Sequence, residues 1–424
     1  INKLLNDCNS LEDLLNIKLN NIRCGKYAVS TFMRKNRTGF IDFTEDSVRE
    51  QLYVFLKESF MATKIAELIL EKCKPDVLVL ADRSYTPAGE LYDTCISSGI
   101  PVITWNAAHR NSALMLKRYS FSNKNDHPSS LSKKTWNSLK QMKWSQIQSK
   151  KVLEELKNCY SSGEWYAEVG TQVKKKQIKK NSLEKILCLD PKKKTVCIFP
   201  HIFWDATFAW GTDLFESYES WFVETLKIAC KNNSVNWIIK VHPANVVKDH
   251  RDGVNNTHSE ISAIRREIGM LPSHVKLMKA DTEISTLSLL EVIDICLTVR
   301  GTIGLESACF GKAVLTAGTG RYDGLGFTID PKNRKDYLNY LSNIKDIKPP
   351  SINHRELALK YAWGVLIGRP LTTKIYNMSF NHNKTADLKI DFQVKKNKKI
   401  SQYPDLKDIA KWIKSEEEDF LSNF

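Results

Sequence analysis

The second half of the chain alternates short apolar runs with segments of helical periodicity, and this alternation constrains the fold more than any other feature. Five runs have the apolar, β-branched character of buried strands, at residues 195–199, 237–241, 275–278, 294–299 and 313–317. Apolar residues at helical spacing fill the stretches 214–231, 259–268, 284–292 and 303–310. Strands that are apolar on both faces and alternate with helices form a parallel sheet covered on both sides. The pattern therefore predicts a doubly wound α/β domain.

The first third of the chain repeats this pattern less regularly. Predicted strands lie at residues 26–31, 77–81 and 101–105, and predicted helices at residues 44–72 and 90–98. We therefore expect an α/β fold with two Rossmann-like, doubly wound parallel-sheet domains that face each other across a cleft. The expected division is a first domain with a helical extension at 1–170, a basic linker at 171–194, a second domain at 195–370, and a basic tail with a terminal helix at 371–424.

Composition and charge narrow the class of partner. The 424 residues carry a net charge of +15, which favours an anionic partner. The lysines concentrate in the predicted linker and tail with few aromatic residues among them, so we expect an anionic membrane surface rather than nucleic acid as a partner. The ten cysteines form no CxxC pair, no apolar run approaches the ~20 residues of a membrane helix, and residues 2–7 do not open a signal peptide. These features predict a cytoplasmic protein, peripheral at the inner face of the cell membrane.

Four of the predicted strands in the second half end in loops rich in Gly, His, Arg and Asp. His201 and Asp205 follow the first strand, and His242 follows the second. Arg300 follows the fourth strand, and the sequence GTGRYDG follows the fifth. Parallel α/β sheets bind ligands in the crevice outside the carboxyl ends of their strands. We therefore expect these loops to line one binding site.

The stretch TVRGTIGLESACFGKAV, which contains the fourth strand end, is typical of a phosphate-binding turn. Gly301 and Gly304 allow a tight turn and close approach of the backbone to a ligand. Thr302 is placed to cap a helix that begins near Ile303, which would leave amides of the first turn free to bind an anion. The alternative interpretation is an ordinary strand-turn-helix in which the threonine only caps.

Side chains around this turn complete the predicted nucleotide site. Arg300 supplies a positive charge and a planar fork that suits phosphate. Glu306 is placed at the end of the first helical turn to bind a ribose hydroxyl pair. His242 is held by a stiff turn because Pro243 follows it, and Lys240 has the same strand parity, so both are expected to face the phosphate. Packing at a strand end for the histidine and surface exposure for the lysine are the alternatives.

Two residues after the first strand of this half are candidates for catalysis. Asp205 is the candidate general base, or a nucleophile towards a sugar carbon. His201 would orient this carboxylate or serve in its place. The alternative for Asp205 is an N-cap of the segment that follows it.

Polar residues also follow the predicted strands of the first domain, which is expected to hold the second substrate. The acceptor-side candidates are Asp82, Arg83, Tyr85, Asn106, His109 and Arg118. A solvated loop is the alternative for this set.

The motifs KVHP, RGTIGLESACFGKAV and PHIFWDATFAWGTDLFESYESWF together resemble the bacterial capsule-polysaccharide biosynthesis glycosyltransferases, the group that contains the Kdo transferases. The resemblance covers residues 195–341 and reaches the first domain only in its architecture. It implies a GT-B fold in which the second domain holds the nucleotide donor. It also implies that His242 and Pro243 contact the nucleotide phosphate, with a companion phosphate site at Thr302, Ile303 and Gly304. Asp205 matches the carboxylate that serves as base or nucleophile in such enzymes.

The resemblance implies a glycosyltransferase that moves a sugar from a nucleotide-activated donor, with a CMP-sugar such as CMP-Kdo favoured, onto a surface-polysaccharide or lipid-linked acceptor. No DxD motif stands at a strand end, and GT-B enzymes commonly neutralise the leaving phosphate with helix amides and basic side chains. We therefore expect no metal and no other cofactor. The alternatives are a CDP-polyol phosphotransferase, which shares a Lys-x-His-Pro element, a sugar-nucleotide epimerase of similar fold, and a basic nucleic-acid-binding protein.

Overall fold

A computed structural model describes residues 1–165, 174–254, 257–380, 388–395 and 399–422. Its two larger sheets are combined with helices, so the predicted α/β class is confirmed. Small parts of the predicted linker, at 171–173, and of the predicted tail, at 381–387, 396–398 and 423–424, lie outside the described residues. Within the described residues, no helix has the length and apolar character needed to cross a bilayer.

The first part of the chain combines helices with three strands. In chain order its elements are α1 (Asn2–Asn6), α2 (Leu11–Leu15), α3 (Cys24–Asn36), α4 (Asp46–Cys73), β1 (Leu78–Leu80), α5 (Ala88–Ser97), β2 (Val102–Ala107) and β3 (Ala113–Tyr119). Three helices then lead to the second half, namely α6 (Lys133–Gln141), α7 (Gln146–Ser162) and α8 (Lys180–Ile186).

The second half forms a parallel sheet with helices between its strands. Its elements are β4 (Thr195–Ile198), α9 (Tyr218–Lys231), β5 (Asn236–Lys240), α10 (Ala244–Asp252), α11 (Ser259–Glu267), β6 (Val275–Met278), α12 (Thr286–Val292), β7 (Ile295–Thr298), α13 (Thr302–Cys309), β8 (Ala313–Thr316), α14 (Arg334–Ser342) and α15 (Ile352–Trp363). The strand order is β6-β5-β4-β7-β8, with every pair parallel. This order reverses direction at β4, so the carboxyl ends of β4 and β7 flank the position where such sheets bind ligands.

Both faces of this second sheet are buried, which explains why its strands are continuously apolar. Val196 and Ile198 pack on one face with residues of α9, α11 and α14. Cys197, between them, packs on the opposite face with residues of α12, α13 and α15. Side chains of a strand point alternately to the two faces, so a sheet covered twice needs an apolar residue at every position.

The first sheet differs from the predicted doubly wound parallel sheet. Its order is β1-β2-β3-β9, where β9 is Leu371–Thr372, and only β1 and β2 are parallel. The strands β2 and β3 are antiparallel because residues 108–112, which connect them, are too few for a crossover helix. The expectation of a second fully parallel sheet was therefore wrong for this half of the chain.

The predicted strand at 26–31 is also wrong, because these residues belong to the helix α3. Ala28 and Phe32 are four residues apart, as are Val29 and Met33, and all four side chains are buried in one cluster. This spacing is that of one helical face. The β-branched residues within the segment do not outweigh the burial of that face.

The segment after residue 370 covers the first sheet. Beyond β9, it contributes the hairpin of β10 (Tyr376–Phe380) and β11 (Leu388–Phe392), and the helix α16 (Pro404–Ile413). Trp412 and Phe420 pack with Ile103 of β2 and Leu116 of β3. Asp419 lies 3.4 Å from the buried ammonium of Lys117. The end of the chain is therefore part of the core of the first half.

Candidate functional site

A cavity of about 320 Å³ lies at the carboxyl edge of the second sheet. The loops after β4, β5, β7 and β8 all contribute to it, as expected for a parallel α/β sheet. The predicted site residues that line it are His201, Asp205, Lys240, His242, Pro243, Arg300, Gly301, Thr302, Ile303 and Glu306. The structure thus brings the candidates of the second half together.

The helix α13 begins at this cavity with an uncapped first turn. Its N-cap residue is Gly301, which has no side chain to accept from the helix amides. Thr302 is the first helical residue, so the predicted capping role of its hydroxyl was wrong by one position. The amides of Thr302 and Ile303 have no acceptor within the helix because they belong to its first turn. These two N–H groups suit an anion.

Gly304 serves packing rather than the cavity. A Cβ atom at this position would lie 2.1 Å from the hydroxyl of Tyr322. That hydroxyl donates a hydrogen bond to the carbonyl of Gly301, at 2.6 Å. The glycine therefore allows the tyrosine to hold the turn that opens α13. The predicted phosphate contact does not extend to Gly304.

Arg300 lines the cavity, but its guanidinium is engaged elsewhere. It is only 2% exposed, donates to the carbonyl of Trp210, and forms an ion pair with Asp213. Burial raises the pKa of Asp213 to about 6, although the charge of Arg300 opposes this shift. Arg300 is thus a buried structural cation beneath the first turn of α13 rather than a free phosphate clamp.

Arg321 is the cation that the prediction missed near this turn. It lines the cavity and donates to the backbone carbonyl of Arg300 at 3.2 Å. It belongs to the GTGRYDG loop after β8, and its position after a strand end was the signal that pointed to it. Its half-buried side chain leaves donors for a bound anion.

His242 is placed as a neutral hydrogen-bond donor. Its Nδ1 accepts from the amide of Ala244 at 3.2 Å, so the ring proton resides on Nε2. Burial lowers the pKa of this imidazole to about 4, and the charges of Lys248 and Lys240 act in the same direction. The prediction that His242 faces the cavity therefore agrees with the geometry, with the ring uncharged at neutral pH.

Lys240 is buried rather than exposed at the surface. It is 3% exposed, and its ammonium donates to the carbonyl of Val241 at 2.9 Å. Burial lowers the pKa of this lysine to about 7, helped by the charge of Lys175. Lys175 also lines the cavity and donates to the carbonyls of Ala280 and Thr282. These two lysines form the end of the cavity nearest β5 and β6.

Asp205 lies in a turn and not at the N-terminus of a helix, so the N-cap alternative does not apply. Its carboxylate accepts from Lys248 of α10 at 2.5 Å and from Tyr85 of the first half at 3.0 Å. Arg34 of α3 approaches to 3.9 Å. Burial alone would raise the pKa of Asp205, but Lys248 and Arg34 outweigh it and hold the pKa below its usual value. The group is therefore an ionised carboxylate at the cavity wall.

His201 supports the backbone just before the first turn of α13. Its Nε2 accepts from the amide of Arg300 at 3.3 Å, and its ring stacks on Tyr218 with centroids 4.3 Å apart. Burial lowers the pKa of His201 well below its usual value, and the charge of Arg300 adds to this effect. Since Nε2 already accepts a hydrogen bond from the amide of Arg300, His201 is less suited than Asp205 to receive a substrate proton.

Glu306 is a buried acid on the far wall of the cavity. Its carboxylate accepts a hydrogen bond from Tyr160 of α7. Burial raises the pKa of Glu306 to about 7, although the Tyr160 hydroxyl and the charge of Arg321 oppose this shift. Tyr160 also stacks on Trp165, with centroids 5.6 Å apart, and both rings line the cavity. The wall thus combines an acid with an aromatic surface, which suits a ribose and a base.

Of the acceptor-side candidates, Tyr85 alone is bonded to a catalytic candidate among the described residues. Its hydroxyl donates to Asp205 and accepts from the amide of Ala206 at 2.8 Å. Asp82 is half-exposed, and its carboxylate accepts from the amide of Ser84 at 2.8 Å. Tyr85 therefore links the first half of the chain to the cavity.

The two acceptor-side arginines are committed to backbone carbonyls. Arg83 lies between the rings of Tyr92 and Tyr119, 4.4 Å from each, and donates to the carbonyl of Asp126. Arg118 donates to the carbonyls of Trp412 and Ile413, and so holds the end of the chain. Neither arginine lines the cavity, because tertiary contacts that the local sequence does not reveal occupy both side chains.

Asn106 and His109 do not line the cavity either. The Oδ1 atom of Asn106 is buried at the end of β2. His109 is 1% exposed, and its Nε2 lies 2.7 Å from Glu155 of α7. Arg110 pairs with the same carboxylate.

Among the described residues, one set of potential metal ligands is compact enough for an ion. The ligand atoms of His109, Glu155 and Cys159 lie within 4.8 Å of one another. Glu155 is already neutralised by Arg110, and burial raises the pKa of the Cys159 thiol, so the sulfur is a protonated thiol. This set fits a hydrogen-bonded ion pair better than a metal site.

The fold and the site define an α/β protein with a cavity, lined by basic side chains and by the first turn of α13, at the carboxyl edge of a parallel sheet. A family model described as capsule polysaccharide biosynthesis protein matches residues 117–345, which is more than half of the chain. The chain therefore belongs to the capsule polysaccharide biosynthesis protein family, and the resemblance seen in the sequence is confirmed. A search of curated proteins found no match.

Several solved structures are similar to this chain. The KpsC β-Kdo 2,4-transferase of Thermosulfurimonas dismutans is 14% identical, with a TM-score of 0.40 over 74% of this chain and 83% of that one. The KpsC β-Kdo 2,7-transferase of the same organism has 14% identity and a TM-score of 0.41 over 74% and 83%. UDP-GlcNAc 2-epimerase from Neisseria meningitidis, bound to UDP-GlcNAc, has 13% identity and a TM-score of 0.31 over 75% and 80%. The family assignment rests on the matched residues and not on these structures.

Proposed function

We propose that this protein is a glycosyltransferase that transfers a sugar from a nucleotide-activated donor to a saccharide or lipid-linked acceptor without a metal ion. A CMP-sugar such as CMP-Kdo is the favoured donor. The observation that carries the proposal is the convergence, on one cavity, of the uncapped first turn of α13 with the donors of Arg321 and His242. Family membership supports a surface-polysaccharide acceptor.

The leaving phosphate binds at the first turn of α13. The amides of Thr302 and Ile303 donate to its oxygens, and Nε2–H of His242 donates from the β5 side. Arg321 supplies a full charge, and Arg300 holds the turn from below through Asp213. Donors fixed in a partly buried cavity stabilise negative charge that develops on the departing nucleotide. These groups perform the neutralisation that a divalent cation would otherwise provide.

Asp205 acts as the general base of the transfer. Its carboxylate is ionised, and its two oxygens offer more lone pairs than Lys248 and Tyr85 occupy. The acceptor hydroxyl gives its proton to Asp205, its oxygen forms the bond to the sugar carbon, and the bond from that carbon to the phosphate oxygen breaks. Lys248 then pairs with the free phosphate or with Asp205 when the proton leaves. Lys248 and Tyr85 are positioning residues for this carboxylate.

The test is donor cleavage by the purified protein with CMP-Kdo, CDP-glycerol and UDP-GlcNAc, in the presence and absence of EDTA. The proposal predicts release of CMP from CMP-Kdo, stimulated by a saccharide acceptor and unchanged by EDTA. Transfer of glycerol phosphate from CDP-glycerol would instead identify a polyol phosphotransferase. Conversion of UDP-GlcNAc without release of UDP would identify an epimerase. Loss of cleavage in EDTA that is restored by a divalent cation would contradict the metal-independent mechanism.

A further inference from the structure

A second concave surface lies between α7 and α15, away from the residues of the cavity described above. It encloses about 380 Å³, and its lining includes Trp144, Lys150, Lys157, Ile352 and Arg355. None of these residues was assigned a role in the transfer. We name this surface the α7–α15 groove.

The rim of the α7–α15 groove carries two strongly exposed isoleucines. Ile352 is 86% exposed, and Ile147, next to the lining residue Gln146, is 80% exposed. Both stand in the first turn of their helices, where packing on the rest of the chain does not require an apolar residue. Isolated exposed isoleucines are unremarkable, but two at one groove indicate a surface that becomes buried.

Trp144 lines the α7–α15 groove, and Trp363 at the end of α15 contacts it. Trp144 and Trp363 are half-buried and contact each other edge to face, with centroids 6.0 Å apart. The indole N–H of Trp144 donates to Ser149, and the ammonium of Lys151 lies 5.2 Å above the Trp363 ring. Tryptophans with one apolar and one polar side are typical of the boundary between membrane and water.

The charge of the α7–α15 groove is positive. Lys157 and Arg355 are exposed, and within the described residues no carboxylate forms an ion pair with either. The acids of the groove already have partners, since Glu154 lies 3.7 Å from Lys150 and Glu356 lies 3.1 Å from Lys360. Lys157 and Arg355 therefore remain as cations without an acidic partner, on the same surface as the exposed isoleucine side chains.

We infer that the α7–α15 groove docks on an anionic lipid bilayer. Isoleucine tips would enter the boundary of the acyl chains, the tryptophans would lie at headgroup depth, and the lysines would pair with lipid phosphates. A nucleic acid would need aromatic rings that are free to stack, whereas Trp144 and Trp363 pack on each other. A protein interface disfavours lysine, which this groove contains.

The α7–α15 groove lies close enough to the cavity for docking to bring the cavity near a membrane-anchored acceptor. The helix α7 carries Lys150 in its first half, and Tyr160 in its last turn lines the cavity. Ten residues of α-helix span about 15 Å. Lys150 of the groove and Tyr160 of the cavity are therefore about 15 Å apart along α7. Docking would place the cavity beside the docked surface, within reach of the saccharide part of a membrane-anchored acceptor.

Vesicle sedimentation with the full chain tests this inference. The probe is a set of phosphatidylcholine vesicles with and without phosphatidylglycerol, at low and high salt. The double variant Lys150→Ala/Lys157→Ala is expected to lower the partition coefficient on anionic vesicles about 30-fold, because each lysine near the surface contributes about fivefold. Ile147→Ser/Ile352→Ser is expected to lower it about tenfold or more.

Matched controls separate the groove from general basicity. Lys179→Ala/Lys180→Ala removes two exposed lysines of which Lys180 pairs with Glu184 at 3.8 Å, much as Lys150 pairs with Glu154. Met270→Ser removes an apolar side chain that is 91% exposed elsewhere. Both controls are expected to bind vesicles like the unmodified protein.

Three outcomes would overturn the inference. They are equal losses in the controls, binding that does not depend on phosphatidylglycerol, and a dimer in sedimentation velocity that the isoleucine variants dissociate. Sugar-nucleotide binding is expected to be unchanged in all these variants. The docking inference and the transferase proposal therefore fail separately.

Discussion

Replacing Arg300 tests whether this residue is a buried structural cation. Its guanidinium is 2% exposed and pairs with Asp213, whose pKa is already about 6 through burial even with the arginine present. Arg300→Ala would leave a buried carboxylate without its partner. Breaking a buried ion pair from one side costs about 3–5 kcal/mol. We expect the free energy of unfolding to fall by about that amount at pH 7.

Urea unfolding at two pH values measures this effect. An unpaired Asp213 in the variant keeps its proton in the folded state well above the pKa of the unfolded chain. Its contribution to stability is then largest at low pH and declines as the pH rises. The loss of unfolding free energy in Arg300→Ala, relative to the unmodified protein, should therefore be smaller at pH 5 than at pH 7. The double variant Arg300→Ala/Asp213→Asn should recover part of the loss. Arg321→Ala removes a half-buried arginine of the same cavity. Its free energy of unfolding should lie within about 1 kcal/mol of that of the unmodified protein. The reasoning would be refuted if Arg300→Ala also lost no more than about 1 kcal/mol of unfolding free energy and if adding Asp213→Asn restored none of it.

Two further predictions concern the chemistry. Asp205→Asn should keep sugar-nucleotide affinity within a few-fold and lose transfer by about 10²- to 10⁴-fold, as rapid-quench turnover against calorimetric binding would show; retained turnover would remove Asp205 from the mechanism. Sugar-nucleotide affinity should rise as the pH falls from 8 to 6, because Lys240 and Glu306 both have a pKa of about 7, so the lysine gains its charge and the acid loses its own. Calorimetry on Lys240→Met should show a weaker pH dependence, and an unchanged profile would exclude Lys240 as its source.

The second sheet was predictable because its strands are buried on both faces. Each such strand appears in the sequence as a continuous apolar run, and the loops after those runs lie at one edge of the sheet by topology alone. His242 and Asp205 are 37 residues apart in the sequence. Because their loops share this edge, they were expected at one site, and both line the cavity.

The first half was less predictable because its sheet is short and mixed. β1 has only three residues, and β3 returns by a hairpin that the apolar pattern did not reveal. Arg83 follows a predicted strand and Arg118 was expected nearby, yet distant carbonyls bind both side chains. A local sequence indicates where a side chain starts, but tertiary contacts decide where it points.

Lys248 was missed for a different reason. It lies on α10, a helix with mostly polar residues that was not predicted, and its ammonium reaches back to Asp205. Pro243 stands at the N-cap of this helix, so the same Pro that ends the strand also starts the helix. The His-Pro pair was therefore a helix signal as well as a strand terminator.

Calorimetric titration with sugar nucleotides tests the central claim, that the carboxyl edge of the second sheet binds the phosphate of the donor. The variant is His242→Ala, and the control is His250→Ala, which removes an exposed histidine from the adjacent helix α10. Loss of a hydrogen bond to a charged group costs about 1.5–3 kcal/mol of binding free energy. His242→Ala should therefore raise the dissociation constant about 10- to 100-fold. The control should bind like the unmodified protein. Equal affinity in all three proteins would contradict the claim.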